Sequence, residues 1–313
     1  MKEALDDYEE ERKKRASGNQ YKFNNFIFDT LLTDGAPPGT IGVIASQSGS
    51  GKSTLLLHLI RSLIRTDVPC MYFSLEMSNT TTIDRLLSAE NGIIPYAEFV
   101  RPPDRASYDM ITKTVAEMRV ELDQKTMFRI CDSPSLSIKE IEKHVEKFLK
   151  DIDKSYAVIG IDLLSMVKEF TIARPRQNYA DSITISMDEM NAVAKNLGVH
   201  FVGVVQMNRD SMADMKSVKC WDDLKKLRPL GRHVKSAGAY EERCRYLLGA
   251  FRPRHWAKQI FVNDPQEWQS RDDIIEVMTL KQNSGDVDLV EGIFDYEHFD
   301  IIPITNTTKI SGP

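Results

Sequence analysis

Downstream of Gly39, short apolar runs alternate with segments whose apolar positions recur every three or four residues. The runs read as buried strands at Ile41–Ala45, Cys70–Leu75, Ala157–Asp162, His200–Val205, Tyr246–Phe251 and Ile274–Leu280. A final strand or hairpin falls within Val287–Phe294. The helical periodicity covers Lys52–Arg65, Thr82–Glu90, Ala106–Asp123, Ile138–Asp151, Tyr179–Asn196 and roughly Lys235–Cys244. Ser137 stands three residues before Glu140, a capping box that starts the fourth of these helices. The alternation predicts an α/β domain, a mostly parallel twisted sheet with helices on both faces.

Two stretches leave that rhythm. Lys2–Arg15 is a highly charged helical segment ending in Ala16-Ser17-Gly18-Asn19. It is either a solvated terminus or an arm that packs on a neighbouring subunit. The expected division is therefore an arm over 1–22 and one domain over 23–313. Met207–Lys235 is long, polar and irregular, and such a loop within a compact domain is usually functional or disordered.

Composition narrows the classes. With 313 residues, 42% apolar and 28% charged, the chain can bury one large core. The net charge of −5 argues against a protein that coats nucleic acid nonspecifically, yet permits a local basic surface. Cys70, Cys131, Cys220 and Cys244 lack C-x-x-C spacing, so neither a zinc site nor a disulfide framework is indicated, and a reducing cytoplasm fits. Cys70 is expected as a small core residue. The charged start MKEALDDYEEERKKR is no signal peptide, and no apolar run approaches the roughly 20 residues of a membrane span.

The chemistry begins at Ile41–Leu57, IGVIASQSGSGKSTLLL: an apolar strand, a small-residue loop and an apolar helix. This is the context of a phosphate-binding loop. Gly49 and Gly51 let successive backbone N–H groups turn inward around a β-phosphate at the positive end of the helix. Lys52 can reach the β- and γ-phosphates, and the Ser53 hydroxyl can ligate Mg²⁺. The candidate nucleotide contacts are Ser48, Gly49, Ser50, Gly51, Lys52, Ser53 and Thr54. The G-x-x-x-x-G-K-[ST] template has glycine where this chain has Ser46.

Three further strand ends carry polar groups. Glu76 follows the second strand, where ligands of parallel sheets bind. It is either the carboxylate that orients and deprotonates an attacking water or a surface acid. Asp162 ends Val158-Ile159-Gly160-Ile161, the pattern of the acid that holds Mg²⁺ in phosphate-loop ATPases. Gln206 ends another strand, either sensing a γ-phosphate or capping the strand.

FSLEMS, IDLLSMV and VVQMNRD, in this order after the phosphate loop, resemble the C-terminal motor domain of DnaB-type replicative helicases, a group of RecA-like ATPases. The likeness runs from about Phe23 to Phe299 and includes Phe28-Asp29, Pro38-Gly39, the stretch Ile130–Ile141, Ala237–Glu242 and Phe251-Arg252-Pro253. That family tolerates a residue other than glycine at the position of Ser46. The resemblance implies ATP and Mg²⁺ at Lys52, Ser53 and Asp162, with Glu76 as general base, Gln206 as coupling sensor and Arg252 beside the nucleotide. Lys281 resembles the basic residue that one subunit inserts into its neighbour's site. Asn283 stands where the family carries an arginine finger, so hydrolysis is slow or another cation substitutes; Arg243 and Arg245 are candidates, or surface charges.

The resemblance also implies a homo-oligomer, a hexameric ring around single-stranded DNA, with primase, a helicase loader or other replisome proteins as partners and no membrane. Its location is expected to be cytoplasmic, in a bacterial host if the chain is phage-encoded. The DNA candidates are Lys168, Arg174 and Arg176 after Asp162, and Arg209, Lys216 and Lys219 after Gln206. Between Arg209 and Lys235 there are eight Lys or Arg against four Asp, which suits salt-dependent binding without sequence preference. Trp221 is expected to anchor this loop rather than stack on a base. With little chain ahead of the motor, a minimal phage- or plasmid-like form or a fragment is expected. The rivals are a recombination or strand-annealing ATPase and a nucleotide-dependent scaffold without unwinding.

Overall fold

The computed structural model describes residues 21–125, 127–171, 178–208, 215–234, 237–282 and 288–304. The strands are β1 (Thr40–Ser46), β2 (Cys70–Ser74), β3 (Phe128–Cys131), β4 (Val158–Asp162), β5 (His200–Gln206), β6 (Tyr246–Phe251), β7 (Ile274–Gln282), β8 (Leu289–Asp295) and β9 (Asp300–Pro303). They form one sheet in the order β3-β2-β4-β5-β1-β6-β7-β8-β9. From β3 to β6 all neighbours are parallel; from β6 to β9 they are antiparallel. The mostly parallel α/β expectation holds, with an antiparallel meander added on one side.

The helices used below are α1 (Phe26–Leu31), α2 (Lys52–Arg65), α3 (Asn79–Asn91), α4 (Tyr96–Val100), α5 (Arg105–Lys125), α6 (Ile138–Asp151), α7 (Lys168–Thr171), α8 (Tyr179–Leu197), α9 (Ala237–Arg243) and α10 (Pro253–Ile260). Period-two alternation divides the core. Val43, Phe73, Ile159 and Phe201 face a cluster with Val145 and Phe148 of α6 and Met187 and Met190 of α8. Their neighbours Ile44, Tyr72, Val158 and Val202 face Leu55, Leu56 and Leu59 of α2 and Phe28 of α1. Because successive strand side chains point to opposite faces, strands apolar at every position need helices on both sides. The capping box at Ser137 and Glu140 is present.

Two strands escaped the sequence pattern. β3 is four residues long and half-buried throughout, an edge strand with no strong apolar run. β9 is four residues long with one core side chain, Ile301, and an ion-pair cluster fixes its first residue. Arg61 of α2 grips Asp300 with both carboxylate oxygens at 2.6 and 2.7 Å, and His58 adds a contact at 2.9 Å. Burial pushes the Asp300 carboxyl up, but His58 and Arg61 outweigh it and hold it below the ordinary range. A depressed carboxylate stabilises the fold above its unfolded value and loses that contribution as pH falls through its folded value. Asp300→Asn is expected to cost about 2 kcal/mol at pH 7, with the difference from wild type shrinking under acid; urea unfolding at both pH values measures it.

The stretch Met207–Lys235, expected to be irregular, is more ordered than its composition suggests. A 3₁₀ segment at Trp221–Leu227 buries Leu224 and Leu227, together with Val218, against Phe251, Trp256 and Met278. Trp221 is half-buried against this cluster with Arg271 over its ring at 5.2 Å, so it anchors the segment. The periodicity was hidden because a 3₁₀ turn eclipses side chains every three residues.

Candidate nucleotide-binding site

The phosphate loop joins β1 to α2. Gly49 and Gly51 hold φ values of 79° and 86°, and Gly51 is the N-cap of α2. A Cβ on Gly51 would lie 2.7 Å from the Phe294 ring, and one on Gly49 2.4 Å from the His255 ring. Conformation and space therefore both require glycine at these two positions. Ser46 ends β1, paired with Gln206 and Ala250, in ordinary backbone that any residue adopts. That explains why the template glycine is dispensable here. Lys52 opens α2 at 8% exposure, among N–H groups that have no helical acceptor.

The two candidate acids are fixed by each other's strands. Leu75 and Glu76 donate their backbone N–H groups to the Asp162 carbonyl at 2.8 and 3.2 Å, extending the β2–β4 pairing past the strand ends. The Tyr72 hydroxyl donates to Asp162 Oδ2 at 2.9 Å, while the buried Oδ1 has no partner. Burial pushes the Asp162 carboxyl up; hydrogen bonds from Ser53 and Tyr72 and the Lys52 charge pull it back. The open Oδ1 and the Ser53 hydroxyl are hard oxygen donors that fit Mg²⁺. Among the described residues no group of three or more His, Cys, Asp or Glu could hold a metal, so such an ion would rely on phosphate oxygens as well. Tyr72 was not anticipated, because an aromatic inside an apolar strand looks like core.

Beside Ser53 lies a cleft of about 620 Å³, lined by Ser48, Gly49, Gly51, Lys52, Ser53 and Thr54 on one side and by Glu76, Met77 and Arg85 on another, with Asp162 buried behind it. Its volume lies in the range of small-molecule sites. Ser50 is buried behind the loop with an unpartnered hydroxyl. Arg252 also lines the cleft, but its guanidinium is committed. It pairs with Asp273 at 2.5 Å, donates to the Gly49 carbonyl at 3.2 Å and lies 3.6 Å over the Phe294 ring. It holds the loop from beneath. His255, Lys258, Phe294, Tyr296 and Phe299 complete the walls and carry no motif, since they arrive from α10, the end of β8 and the β8–β9 turn.

The remaining candidates lie elsewhere. Gln206 is exposed at the end of β5, and Met207 N–H donates to the Ser46 carbonyl at 3.0 Å. Gln47 reaches the Asn208 carbonyl at 2.6 Å, and Asn208 N–H donates to the His233 carbonyl at 2.8 Å. The phosphate loop is thus tied to both ends of the Met207–Lys235 segment. Lys281, paired in register with Leu247 near the start of β6, stands at the opposite end of the sheet from the loop and donates to the Cys244 carbonyl at 2.5 Å. Arg243 pairs with Asp188 and Arg245 with Asp34 at that same end. Between these ends, Arg228 grips Glu276 of β7 at 2.7 and 2.9 Å. Lys168, on α7, bridges to Glu140 at 3.0 Å, while Lys216 and Lys219 are exposed. Arg174, Arg176, Arg209, Asn283 and the arm 1–20 lie outside the described residues.

A phosphate loop at the C-terminal edge of a parallel sheet, faced by acids from two neighbouring strands, defines a RecA-like nucleotide-binding domain. A family model described as the DnaB-like helicase C terminal domain matches residues 24–300, and the chain belongs to that family. It is 23% identical over 268 residues to a probable replicative DNA helicase of Trieres chinensis, covering 84% of this chain and 53% of that protein. To the replicative DNA helicase DnaB of Leifsonia xyli subsp. xyli it is 28% identical over 179 residues, 57% of this chain and 37% of that one. The chain thus spans about half the length, or less, of these relatives. In structure it is similar to a solved ATPase domain, with TM-score 0.76 and 17% identity over 96% of this chain and 98% of that one. A DnaB-like replicative helicase described with its primase interactions gives TM-score 0.74 and 19% identity over 97% and 67%. The RadB recombinase, at TM-score 0.50 and 13% identity over 91% and 100%, shares the fold at greater distance. Among the described residues no helix is long and apolar enough to cross a membrane.

Proposed function

We propose that this chain is the motor domain of a ring-forming DNA helicase, hydrolysing ATP at subunit interfaces to move along single-stranded DNA and unwind duplex during replication. The observation that carries the reading is that Lys52, Ser53 and Glu76 line one cleft, with the buried Asp162 hydrogen-bonded to Ser53 behind it, in a chain of this family. Lys52 would hold the β- and γ-phosphates, while Ser53 and Asp162 would hold Mg²⁺. The ion supplies charge neutralisation across the phosphates when bound. Glu76 orients the attacking water and takes its proton as the water oxygen bonds to the γ-phosphorus and the bond from that phosphorus to the β-phosphate oxygen breaks, releasing ADP and phosphate. Gln206, next to the Ser46 and Asn208 contacts, relays the γ-phosphate state to the Met207–Lys235 segment. Arg252 acts on the loop through the Gly49 carbonyl. The position of Lys281 suits service to a neighbour's nucleotide, in a homo-oligomer that we take to be hexameric.

Single-stranded DNA is the proposed track, with Lys216, Lys219 and Arg209 contributing to its electrostatic attraction and Arg174 and Arg176 on the second loop. Lys168 is the weakest of the set because Glu140 already neutralises it. Primase, a loader and other replisome proteins are proposed partners in the cytoplasm. A forked-duplex unwinding assay with ATP tests the reading, with particle imaging under the same conditions. Rings and DNA-stimulated turnover support it. Helical filaments on DNA favour a recombinase, and turnover indifferent to DNA favours a scaffold. Replacing Lys216 and Lys219 by alanine is expected to weaken single-strand binding about tenfold at moderate salt, to flatten the salt dependence and to leave unstimulated hydrolysis unchanged. Anisotropy titrations across a salt series measure this; an unchanged slope removes both lysines from the DNA path.

A further inference from the structure

Tyr72 of β2 is fully buried in the cluster that α2 covers, with Leu56, Leu59 and Ile60. A buried phenol needs a hydrogen-bond partner, and phenylalanine would fill the same space without that need. What the tyrosine adds is one donor placed on one carboxylate oxygen, Asp162 Oδ2 at 2.9 Å. Burial and then the Asp162 charge push the hydroxyl well above its ordinary range, so it stays protonated and donates.

The reach of this side chain is built into the sheet. In the β2–β4 register Tyr72 pairs with Gly160 and Ser74 with Asp162, and alternation puts Gly160 and Asp162 on the same face. The tyrosine therefore passes over its own partner position to meet the residue two further along. Gly160 leaves that path open: a Cβ there would lie 3.2 Å from Tyr72 Cδ2 and 3.4 Å from the side chains of Ile60 and Leu56. It lies within β4 and has no positive φ, so space rather than conformation calls for glycine.

β2 thus fixes Asp162 twice, its backbone through the Leu75 and Glu76 N–H groups and its side chain through Tyr72. An untethered carboxylate turns about its Cβ–Cγ bond and offers either oxygen. One held at Oδ2 offers Oδ1, which is buried and carries no hydrogen bond. Losing a hydrogen bond that orients a metal-binding group typically costs about 10–100-fold in metal affinity.

We propose that Tyr72 is a positioning residue for magnesium: its hydroxyl holds Asp162 Oδ2 so that Oδ1 is left for the cation that accompanies the nucleotide, and Gly160 makes room for that contact. The inference rests on the cleft being the nucleotide site and Asp162 its metal acid.

Calorimetric titration with a non-hydrolysable ATP analogue, in magnesium and in EDTA, tests it on wild type, Tyr72→Phe, Gly160→Ala and the double variant. Thermal unfolding without nucleotide is the check on folding. Tyr72→Phe is expected to reduce about tenfold the factor by which magnesium tightens binding, with affinity in EDTA within twofold of wild type. Gly160→Ala is expected to reduce that factor by less, and to change it no further once the hydroxyl is gone. A factor in Tyr72→Phe that is within twofold of wild type, or larger, would overturn the proposal. So would equal weakening in magnesium and in EDTA, which is the mark of a purely structural tyrosine. If Tyr72→Phe unfolds, Gly160→Ala decides: an unchanged factor overturns the proposal and a lower one upholds it. Wild type that fails to bind the analogue, or binds it no better with magnesium, would instead remove the reading of the cleft as a magnesium–nucleotide site.

Discussion

Glu76→Gln is expected to slow ATP hydrolysis by about 10²–10⁴-fold while leaving ATP affinity within about threefold of wild type. The amide keeps the length and hydrogen-bonding capacity of the side chain and removes only its ability to accept a proton. Nothing else about the site should move, because the Glu76 backbone is pinned to the Asp162 carbonyl independently of the side chain. Single-turnover hydrolysis alongside equilibrium binding separates the two quantities. Hydrolysis at the parental rate would remove Glu76 as the base and send the search to another group at the cleft. A parallel loss of binding would show instead that the carboxylate shapes the pocket.

Lys52→Ala is expected to fail at the earlier step, with ATP affinity falling about 100-fold or more and turnover falling with it. A charged hydrogen bond contributes about 1.5–3 kcal/mol, and a lysine bridging two phosphates makes more than one. Burial strengthens the effect, since the ammonium stands at 8% exposure where water screens it little. The substitution also removes a positive charge that favours the ionised form of Asp162. Raising magnesium should therefore recover little of the lost affinity. Titration of a fluorescent nucleotide at two magnesium concentrations measures both parts. Affinity within threefold of wild type would mean that the loop does not seat the phosphates.

Most of the sheet and the phosphate side of the site were legible in the sequence, for a reason common to both. Strands buried on two faces are apolar at every position, and Lys52–Arg65 and Ile138–Asp151 carry both their periodicity and their boundaries in local residues. Gly49, Gly51, Glu76 and Asp162 are tied to strand ends, so finding the strand finds the residue. What escaped depends on long-range pairing. β9 is held by Arg61 and Asp300, 239 residues apart, and no local window contains both. Tyr72 resembled core until its hydroxyl met Asp162, and Arg252 resembled a ligand contact until Asp273 and the Gly49 carbonyl were seen to occupy it.

One strand crosses the domain with an attachment at each stage. β7 leaves Asp273, which steadies the phosphate loop through Arg252, passes Glu276 in the grip of Arg228, and ends beside Lys281 at the opposite edge of the sheet. Strand backbone resists stretching, so about 25 Å of it behaves as a pushrod rather than a spring. If copies related by rotation close into a head-to-tail ring, every such rod would point the same way around the circle. Such a ring would carry a handedness built into each copy before any strand is threaded through it.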